Sequence, residues 1–339
     1  MLSRLDRLAY HSQHLSFAIN ATVMQEAARI ATRTPRPKIT PGLLKTINRR
    51  RQELHRVDLA NVESGMYPRE LLFDIPTRRY LHESLLLLKD TGNVIRRKQK
   101  NAYKDIPAVD KDRYPPYYRR TFHWQSDGYF SDFSAKVYEV GVELLFRGTA
   151  DVMRRQIIPP ITRFLRDQPA GEAPRILDLG CGTGRTLHQL ARAHPRARLY
   201  GADMSPAYIK RARKRLIELD DVTLAAENGE ALPWADGTFD VVTSTYMFHE
   251  LPRNARRNVM REMLRVVRPG GLVVLEDSAQ VSDSPELADV LRNFPVEFHE
   301  PFYADYLEDD LARILAEVGF NEVRTESHLV AKVVAARRP

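Results

Sequence analysis

His249 and Glu250 stand side by side directly after the apolar run FDVVTST (residues 239–245). Imidazole and carboxyl groups are the side chains that most often take or give a proton during a reaction. The run before them has the length and the β-branched residues of a buried strand. Because open α/β sheets bind ligands at the carboxyl ends of their strands, the sequence predicts that the pair lies at a ligand site.

A second chemical signal is the glycine-rich stretch RILDLGCGTGRTL (residues 175–187). Gly180, Gly182 and Gly184 follow Asp178 at alternate positions, where they allow a tight turn and a close approach to a ligand at the start of a helix. The spacing differs from the GxGxxG of dinucleotide sites, and the chain has no GxxxxGK[ST] nucleotide loop. A carboxylate beside the loop disfavours a pyrophosphate and suits a cationic ligand.

The elements that must position these residues alternate from about residue 150 onward. A first helix is predicted over GTADVMRRQIIPPITRFLRD, with IIPP bending or dividing it. Helices of ten to fifteen residues then separate the short apolar runs RILDL, ARLYGA, VTLAAE, FDVVTST and LVVLED, which indicates βαβ units and a parallel sheet. NEVRTES and LVAKVVAA predict a closing antiparallel hairpin at the sheet edge. The predicted fold is α/β: a doubly wound, seven-stranded Rossmann-like sheet with a C-terminal antiparallel hairpin and a mainly helical N-terminal extension.

The net charge also differs between the N-terminal part of the chain and the rest. Residues 1–120 hold 24 Lys and Arg against 12 Asp and Glu, whereas the whole chain carries a net charge of only +8, so the remainder is acidic. We therefore predict three parts: a basic, mainly helical extension (1–120), lid or connecting helices (121–170) and a ligand-binding domain (171–339). Basic patches such as RRKQK (96–100) suit a phosphate-bearing partner, although a solvated helical surface is the simpler interpretation.

With these landmarks, residues 171–339 resemble the class I S-adenosylmethionine (SAM)-dependent methyltransferases. RILDLGCGTGRTL matches their motif I, and LYGADMSP, AENGEALPW and LRVVRPGGLVVLED match later landmarks in the same order. The resemblance implies SAM as cofactor, with Asp203 on the ribose hydroxyls, Met204 against the adenine, and Asn228 with Gly229 where the adenine amino group is read. Asn228 departs from the usual Asp, but an amide oxygen still accepts from that amino group. The implied cofactor-binding residues are Asp178, Gly180, Cys181, Gly182, Gly184, Asp203, Met204, Asn228, Gly229 and Thr245.

The domain is most similar to the branch that includes ubiquinone and menaquinone biosynthesis enzymes and many small-molecule methyltransferases. In that branch the acceptor pocket is walled by the segment before motif I and by an insertion near the fifth and sixth strands. Two aromatic-rich stretches, residues 121–139 and 294–311, occupy those places. The alternative is that they only pack the extension on the core. The predicted substrate residues are His123, Trp124, Gln125, Tyr129, His299, Glu300, Tyr303 and Tyr306.

In the resembling family, residues 246–251 form the loop beneath the transferring methyl group. We therefore predict that His249 acts as a general base or orients the acceptor, with Glu250 as a second catalytic candidate. Glu250 has a simpler alternative, which is to cap the next helix or to pair with Arg253 or Arg256. A phenol or enol acceptor needs a base, whereas an already nucleophilic acceptor needs none. Cys181, inside the glycine loop, is interpreted as a small packing residue.

The function predicted from these observations is SAM-dependent methylation of a small, hydrophobic or aromatic acceptor at oxygen or carbon. The TSTYMFHEL segment lacks the [DNS]PP[YFW] motif of adenine amino methylation, and Cys181 is misplaced for the cysteine-dependent routes. An RNA methyltransferase that uses the basic N-terminal region stays open as an alternative. A catalytically silent SAM-binding scaffold or assembly factor is a third hypothesis, and the oligomeric state is left open.

The composition bears on the cellular compartment, on metal binding and on contact with membranes. The chain has no apolar run long enough for a membrane-spanning helix, and its N-terminus lacks the apolar core of a secretory signal. The single cysteine excludes an internal disulfide and fits a reducing compartment, so we predict a cytoplasmic protein, with a mitochondrial transit peptide at the Arg-bearing, acid-poor N-terminus as the alternative. No metal site is evident, because the ten histidines are scattered. Peripheral contact of the basic extension with an anionic membrane is a further hypothesis.

Overall fold

The computed structural model describes residues 2–32, 40–110, 112–123, 125–169 and 171–339. The chain divides into two compact units, Met1–Met153 and Arg154–Pro339. The division falls within the segment that was predicted to connect the extension to the ligand-binding domain.

The N-terminal unit is helical, as predicted. Its described helices are α1 (Arg4–Thr32), α2 (Pro41–Glu63), α3 (Thr77–Lys100) and α4 (Asp132–Leu145), with a 3₁₀ turn at Arg69–Phe73 and α5 (Ala150–Arg154) reaching the boundary. Local signals set the helix starts: Thr40 Oγ1 accepts a hydrogen bond from Leu43 N (3.2 Å) at the start of α2. In the core of this unit, Asp58 accepts hydrogen bonds from the hydroxyl groups of Tyr10 and Tyr67, both at 2.6 Å.

The C-terminal unit contains the predicted seven-stranded sheet. Its order is β3-β2-β1-β4-β5-β7-β6, with the first five strands parallel and β7 antiparallel to both β5 and β6. The strands are β1 (Arg175–Leu179), β2 (Arg198–Ala202), β3 (Val222–Ala225), β4 (Phe239–Thr245), β5 (Val267–Ser278), β6 (Asn321–His328) and β7 (Ala331–Arg337). The closing hairpin at the sheet edge is thereby confirmed. Because β1, β4 and β5 are parallel neighbours, the residues that follow them meet at one edge of the sheet.

Helices cover the sheet. They are α6 (Ile158–Arg166), α7 (Arg185–Ala193), α8 (Pro206–Arg215), α9 (Arg253–Val266), α10 (Ala288–Phe298), α11 (Tyr303–Glu308) and α12 (Leu311–Val318). The long helix predicted around IIPP is divided: α5 ends at Arg154, a 3₁₀ turn follows, and α6 begins at Ile158 with a proline in its first turn. None of the described helices combines the length and the apolar character that a transmembrane span requires.

The fifth strand differs from its predicted bounds. LVVLED alone was predicted as strand, with RPGG as a preceding turn, but β5 starts at Val267 and includes that turn. Val267 already pairs with Phe239 of β4, and the register then shifts before the main ladder. Gly270 adopts φ 70° and its N–H donates to Arg338 O at 2.9 Å. The turn is thus held between two neighbouring strands as an irregularity within the sheet.

Candidate functional site

The glycine loop after β1 needs glycine for both conformation and space. Gly180, Gly182 and Gly184 have φ values of 70°, 52° and 78°, a region that favours glycine. A Cβ atom on Gly180 would lie 2.7 Å from Met247 Sδ, and one on Gly184 would lie 3.1 Å from Ala212 Cβ. The loop therefore turns sharply into α7 while the segment after β4 and α8 pack directly on it.

Asp178 near the end of β1 is wholly buried. In the described part of the chain, neither of its carboxyl oxygens accepts a hydrogen bond. Burial raises the pKa of Asp178 well above its usual range; the Arg154 guanidinium lowers it and Asp203 raises it. A buried carboxylate without a donor is costly, and a positively charged group beside it would reduce this cost.

Asp203 and Met204 follow β2, and both are half-buried. The two oxygens of Asp203 accept from Gly182 N at 2.9 Å and from Ser205 N at 2.8 Å. Burial raises the pKa of Asp203 to about 6, the two backbone donors oppose that rise, and Glu250 adds to it. The backbone thus holds Asp203 against the glycine loop, and each oxygen keeps a second lone pair for a hydroxyl donor.

The stretch after β3 packs against β1. Asn228 Oδ1 accepts from Glu230 N at 3.0 Å, which fixes a local turn. A Cβ atom on Gly229 would lie 3.3 Å from Leu179 Cδ1, so a larger residue would displace this turn. Cys181 is buried, burial raises the pKa of its thiol well above the usual value, and its Sγ would meet a Cβ on Gly201 at 2.9 Å. These facts support a packing role for Cys181.

The end of β4 contacts both α7 and β5. Thr245 Oγ1 lies 2.8 Å from Thr186 Oγ1, and Tyr246, with φ 55°, donates its N–H to Glu276 O at 2.9 Å. The Arg154 guanidinium lies 5.6 Å from the Tyr246 ring centre. Burial, reinforced by Asp277, raises the pKa of Glu276 to about 8, although Arg154 opposes the rise.

His249 belongs to the 3₁₀ turn Phe248–Glu250 and is buried. Its Nδ1 lies 2.6 Å from Asp277 Oδ1, and Asp277 also accepts from Phe248 N and Ser278 N, each at 2.7 Å. Burial by itself lowers the pKa of His249, but the Asp277 charge and hydrogen bond, together with Glu300 and Glu250, raise it to about 9. The aspartate therefore fixes the ring and favours its protonated form.

Glu250 follows His249 in the sequence, and its carboxylate lies near the imidazole ring. Its Oε1 lies 4.0 Å from His249 Nε2. The arginines that were its alternative partners are both bound elsewhere: Arg253 pairs with Asp305 at 2.7 Å, and Arg256 pairs with Asp309 at 3.0 Å. The carboxylate of Glu250 contributes to the raised pKa of His249, which is an electrostatic effect on the imidazole.

Two predicted substrate tyrosines lie beside His249. The ring centres of Tyr303 and Tyr306 are 5.9 and 6.2 Å from the imidazole, both edge-on. The Tyr303 hydroxyl hydrogen-bonds Ser278 Oγ, and the Tyr306 hydroxyl donates to Ser278 O. Both tyrosine pKa values are raised by burial, so both phenols stay neutral.

The other two members of the 294–311 stretch take different positions. Glu300 is buried and acts on His249 through its charge. His299 follows α10 with φ 53°, and its backbone N–H donates to Pro295 O. His299 thus ends a helix, and a contact of its ring with an acceptor stays a prediction.

The remaining predicted substrate residues belong to the N-terminal unit. His123 has φ 52° and is half-buried, and Gln125 Nε2 donates to Gly128 O at 3.2 Å and to Ser134 Oγ. Tyr129 is buried and stacks on Phe122 with ring centres 5.2 Å apart. Trp124 lies outside the described residues. The role of these four in acceptor binding stays a prediction.

Three residues of the site were not predicted from the sequence: Arg154, Glu276 and Asp277. The two acids stand at the end of LVVLED, so their position at the exit of a strand was a usable signal. Arg154 lies before the sheet begins and gave no such signal. Only the folded chain brings it to Tyr246 and to the charges of Asp178 and Glu276.

The chain matches a family model described as "Methyltransferase domain" over residues 176–271. An uncharacterized methyltransferase of Synechocystis is 31% identical over 170 residues, covering 48% of this chain and 75% of that protein. A demethylmenaquinone methyltransferase of Corynebacterium kroppenstedtii is 30% identical over 209 residues, 57% of this chain and 84% of that protein. A 27-O-demethylrifamycin SV methyltransferase of Amycolatopsis mediterranei is 36% identical over 124 residues, 34% of this chain, and the chain spans only 44% of its length.

Proposed function

Because the chain belongs to the class I SAM-dependent methyltransferase family, we propose that it methylates a small, hydrophobic or aromatic acceptor at oxygen or carbon. The names of two relatives point in this direction. One acts on demethylmenaquinone and the other on 27-O-demethylrifamycin SV. Both names denote small molecules, which supports a small-molecule acceptor here.

The glycine loop and its acids fit the cofactor SAM. Asp178 offers a buried carboxylate that accepts no hydrogen bond in the described residues, which suits a cationic group. Asp203 offers two carboxylate oxygens for hydroxyl donors next to the loop. SAM, when bound, supplies a methyl group activated by its sulfonium. The protein must then align the acceptor, exclude water and accept any proton that is released.

The single observation that carries the acceptor side of the proposal is the His249–Asp277 pair, with Nδ1 2.6 Å from Oδ1 at the exits of β4 and β5. Asp277 fixes the imidazole through Nδ1, so that Nε2 is the atom that takes a proton from an acceptor hydroxyl. With a pKa of about 9, His249 is mostly protonated at neutral pH and becomes a base as the pH rises. Tyr303 and Tyr306 provide aromatic edges beside it.

The test is incubation of methyl-labelled SAM with an extract of the source cells, followed by separation into lipid, small-molecule and RNA fractions. The proposal expects label in the lipid or small-molecule fraction with the wild-type protein and little label with Asp203→Ala. Label in the RNA fraction would favour the alternative of an RNA methyltransferase. No label in any fraction, despite SAM binding, would favour a catalytically silent SAM-binding scaffold.

A further inference from the structure

The helix α1 exposes a long apolar stripe. Six of its large aliphatic side chains are 57–77% exposed: Leu5, Leu8, Leu15, Ile19, Val23 and Ile30. At 100° per residue these positions fall within an arc of about 80° on one face of the helix. The stripe runs for about 38 Å along the axis at 1.5 Å per residue. Scattered exposed leucines need no explanation, but an aligned set of six does.

A shorter stripe lies on α3. Leu81, Leu85 and Leu88 follow the i, i+4, i+7 spacing of one helix face and are 61%, 53% and 37% exposed. These leucines do not pack into the core, because the buried face of α3 carries Tyr80 and Ser84 instead.

The two stripes flank a common groove. A cavity of about 220 Å³ lies between α1 and α3, and its lining includes Ser16 and Phe17 of α1 and Tyr80 and Leu81 of α3. Leu81 thus belongs both to the stripe on α3 and to the groove. On α1, Ser16 lines the groove and neighbours Ile19 of the stripe at i, i+3. We call the two stripes together the apolar face of the N-terminal unit.

The charged side chains around the apolar face indicate which kind of partner it suits. Beside the leucines, α3 exposes the basic residues Arg78, Lys89, Arg96, Lys98 and Lys100. Both acids of α3 are buried: Glu83 lies 3.6 Å from Arg79, and Asp90 lies 3.7 Å from Arg97. The exposed surface of α3 therefore combines leucines with cations and presents no acid.

The same holds along α1. Its two acids are each taken up by an arginine, Asp6 by Arg69 and Glu26 by Arg29. Glu26 itself lies within the arc of the stripe, and its ion pair with Arg29 offsets the negative charge there.

We propose that the apolar face docks peripherally on an anionic lipid membrane. Aliphatic side chains enter the boundary between headgroups and acyl chains, while neighbouring Lys and Arg side chains contact lipid phosphates. A second copy of the chain fits less well, because face-to-face contact would bring the cations of the two α3 helices together with no exposed acid on α3 to pair them. RNA would use the cations but gains nothing from leucine, isoleucine and valine, since bases are recognised by stacking and hydrogen bonds.

The inference rests on the N-terminal unit alone and stands apart from the proposed catalytic activity. Its test is sedimentation of the full chain with phosphatidylcholine vesicles, with and without phosphatidylserine, at low salt. We expect strong binding only when phosphatidylserine is present, and we expect added salt to weaken it. No sedimentation with phosphatidylserine vesicles at low salt overturns the proposal.

Variants separate the apolar and charged contributions. The combined substitution Leu81→Ser, Leu85→Ser and Leu88→Ser should weaken vesicle binding by about tenfold or more, because each leucine loses its apolar contact. The matched control is Ile217→Ser, which replaces an aliphatic residue that is 79% exposed in the other unit and should leave binding unchanged. These side chains are exposed, so thermal unfolding should stay near that of the wild type.

The charge variant combines Lys89→Gln, Arg96→Gln and Lys100→Gln, with Lys214→Gln in the other unit as control. It should remove the preference for phosphatidylserine, whereas the control should keep it. One outcome overturns the proposal: the charge variant loses vesicle binding but the leucine variant keeps it. The face would then bind anions without inserting into the membrane, as it would bind a nucleic acid. If the leucine variant changes only the oligomeric state, the face is a contact between copies of the chain, which also overturns it.

Discussion

His249 Nδ1 lies 2.6 Å from Asp277 Oδ1, a contact that joins the turn after β4 to the end of β5. Asp277 is itself fixed by two backbone N–H groups, from Phe248 and Ser278. The aspartate is therefore held in place before it acts on the imidazole. Such preorganisation sets both the orientation and the pKa of the histidine.

Asp277→Asn should move the pH dependence of methyl transfer. In the wild type, kcat/KM for an acceptor that must lose a proton should rise as the pH approaches about 9, because the basic form of His249 appears there. Without the aspartate charge the midpoint should move to lower pH, and the plateau rate should fall because the ring is less well oriented. The control Asp240→Asn removes a carboxylate paired with Arg268 at the opposite end of the sheet and should leave the midpoint in place. An unchanged midpoint in Asp277→Asn would mean that the pair has only a structural role.

The same pair should appear in the pH dependence of stability. The pKa of His249 is raised from 6.5 to about 9 on folding, so its stabilising contribution is fully present below pH 6.5 and is lost as the pH rises through 9. The free energy of unfolding of the wild type, minus that of His249→Asn, should fall by up to about 3 kcal/mol across this window. Chemical denaturation at a series of pH values measures it. Two results would contradict this assignment. One is a difference in the free energy of unfolding that does not change with pH. The other is a pH dependence of that difference that remains when both proteins also carry Asp277→Asn.

Asp178→Asn should stabilise the ligand-free protein and weaken SAM binding. Burial raises the pKa of Asp178, so its charged form opposes folding, increasingly as the pH rises above the unfolded value of 3.8. The neutral amide removes the cost of burying a charge, so it should raise the free energy of unfolding at pH 7. Thermal unfolding and calorimetric titration with SAM measure the two effects. The control Asp236→Asn, on an exposed side chain, should change neither by much; unchanged SAM affinity in Asp178→Asn would contradict the role of the buried carboxylate.

Gly180→Ala should destabilise the protein and impair SAM binding together. The added Cβ meets Met247 Sδ at 2.7 Å, and φ 70° disfavours any residue with a Cβ by about 1–2 kcal/mol. Gly171→Ala is the matched control, because the nearest atom to its Cβ is Pro169 O at 4.0 Å. Equal unfolding midpoints for the two variants would show that the loop tolerates a side chain.

The sheet was predictable because its signals are local. Short apolar runs, glycine after β1 and helix-length spacers specify a parallel sheet, and FDVVTST became β4 with the predicted bounds. The contact between His249 and Asp277 was not predictable, since it joins residues 28 positions apart through the register of two strands. The apolar stripe of α1 was not predictable either, because the sequence alone does not show which face of the helix is covered. Only the buried face around Tyr10 shows that Leu8 and Leu15 are left outside.

We expect His249 to serve methyl transfer to the acceptor and not the binding of the cofactor. The most direct measurement compares acceptor turnover and SAM affinity in His249→Ala and the wild type. We predict a loss of turnover of at least about tenfold, within the range typical of a proton-transfer group, with nearly unchanged SAM affinity, while the control His328→Ala in the β6–β7 hairpin changes neither. An equal loss of turnover and SAM affinity, or no loss of turnover, would contradict the account.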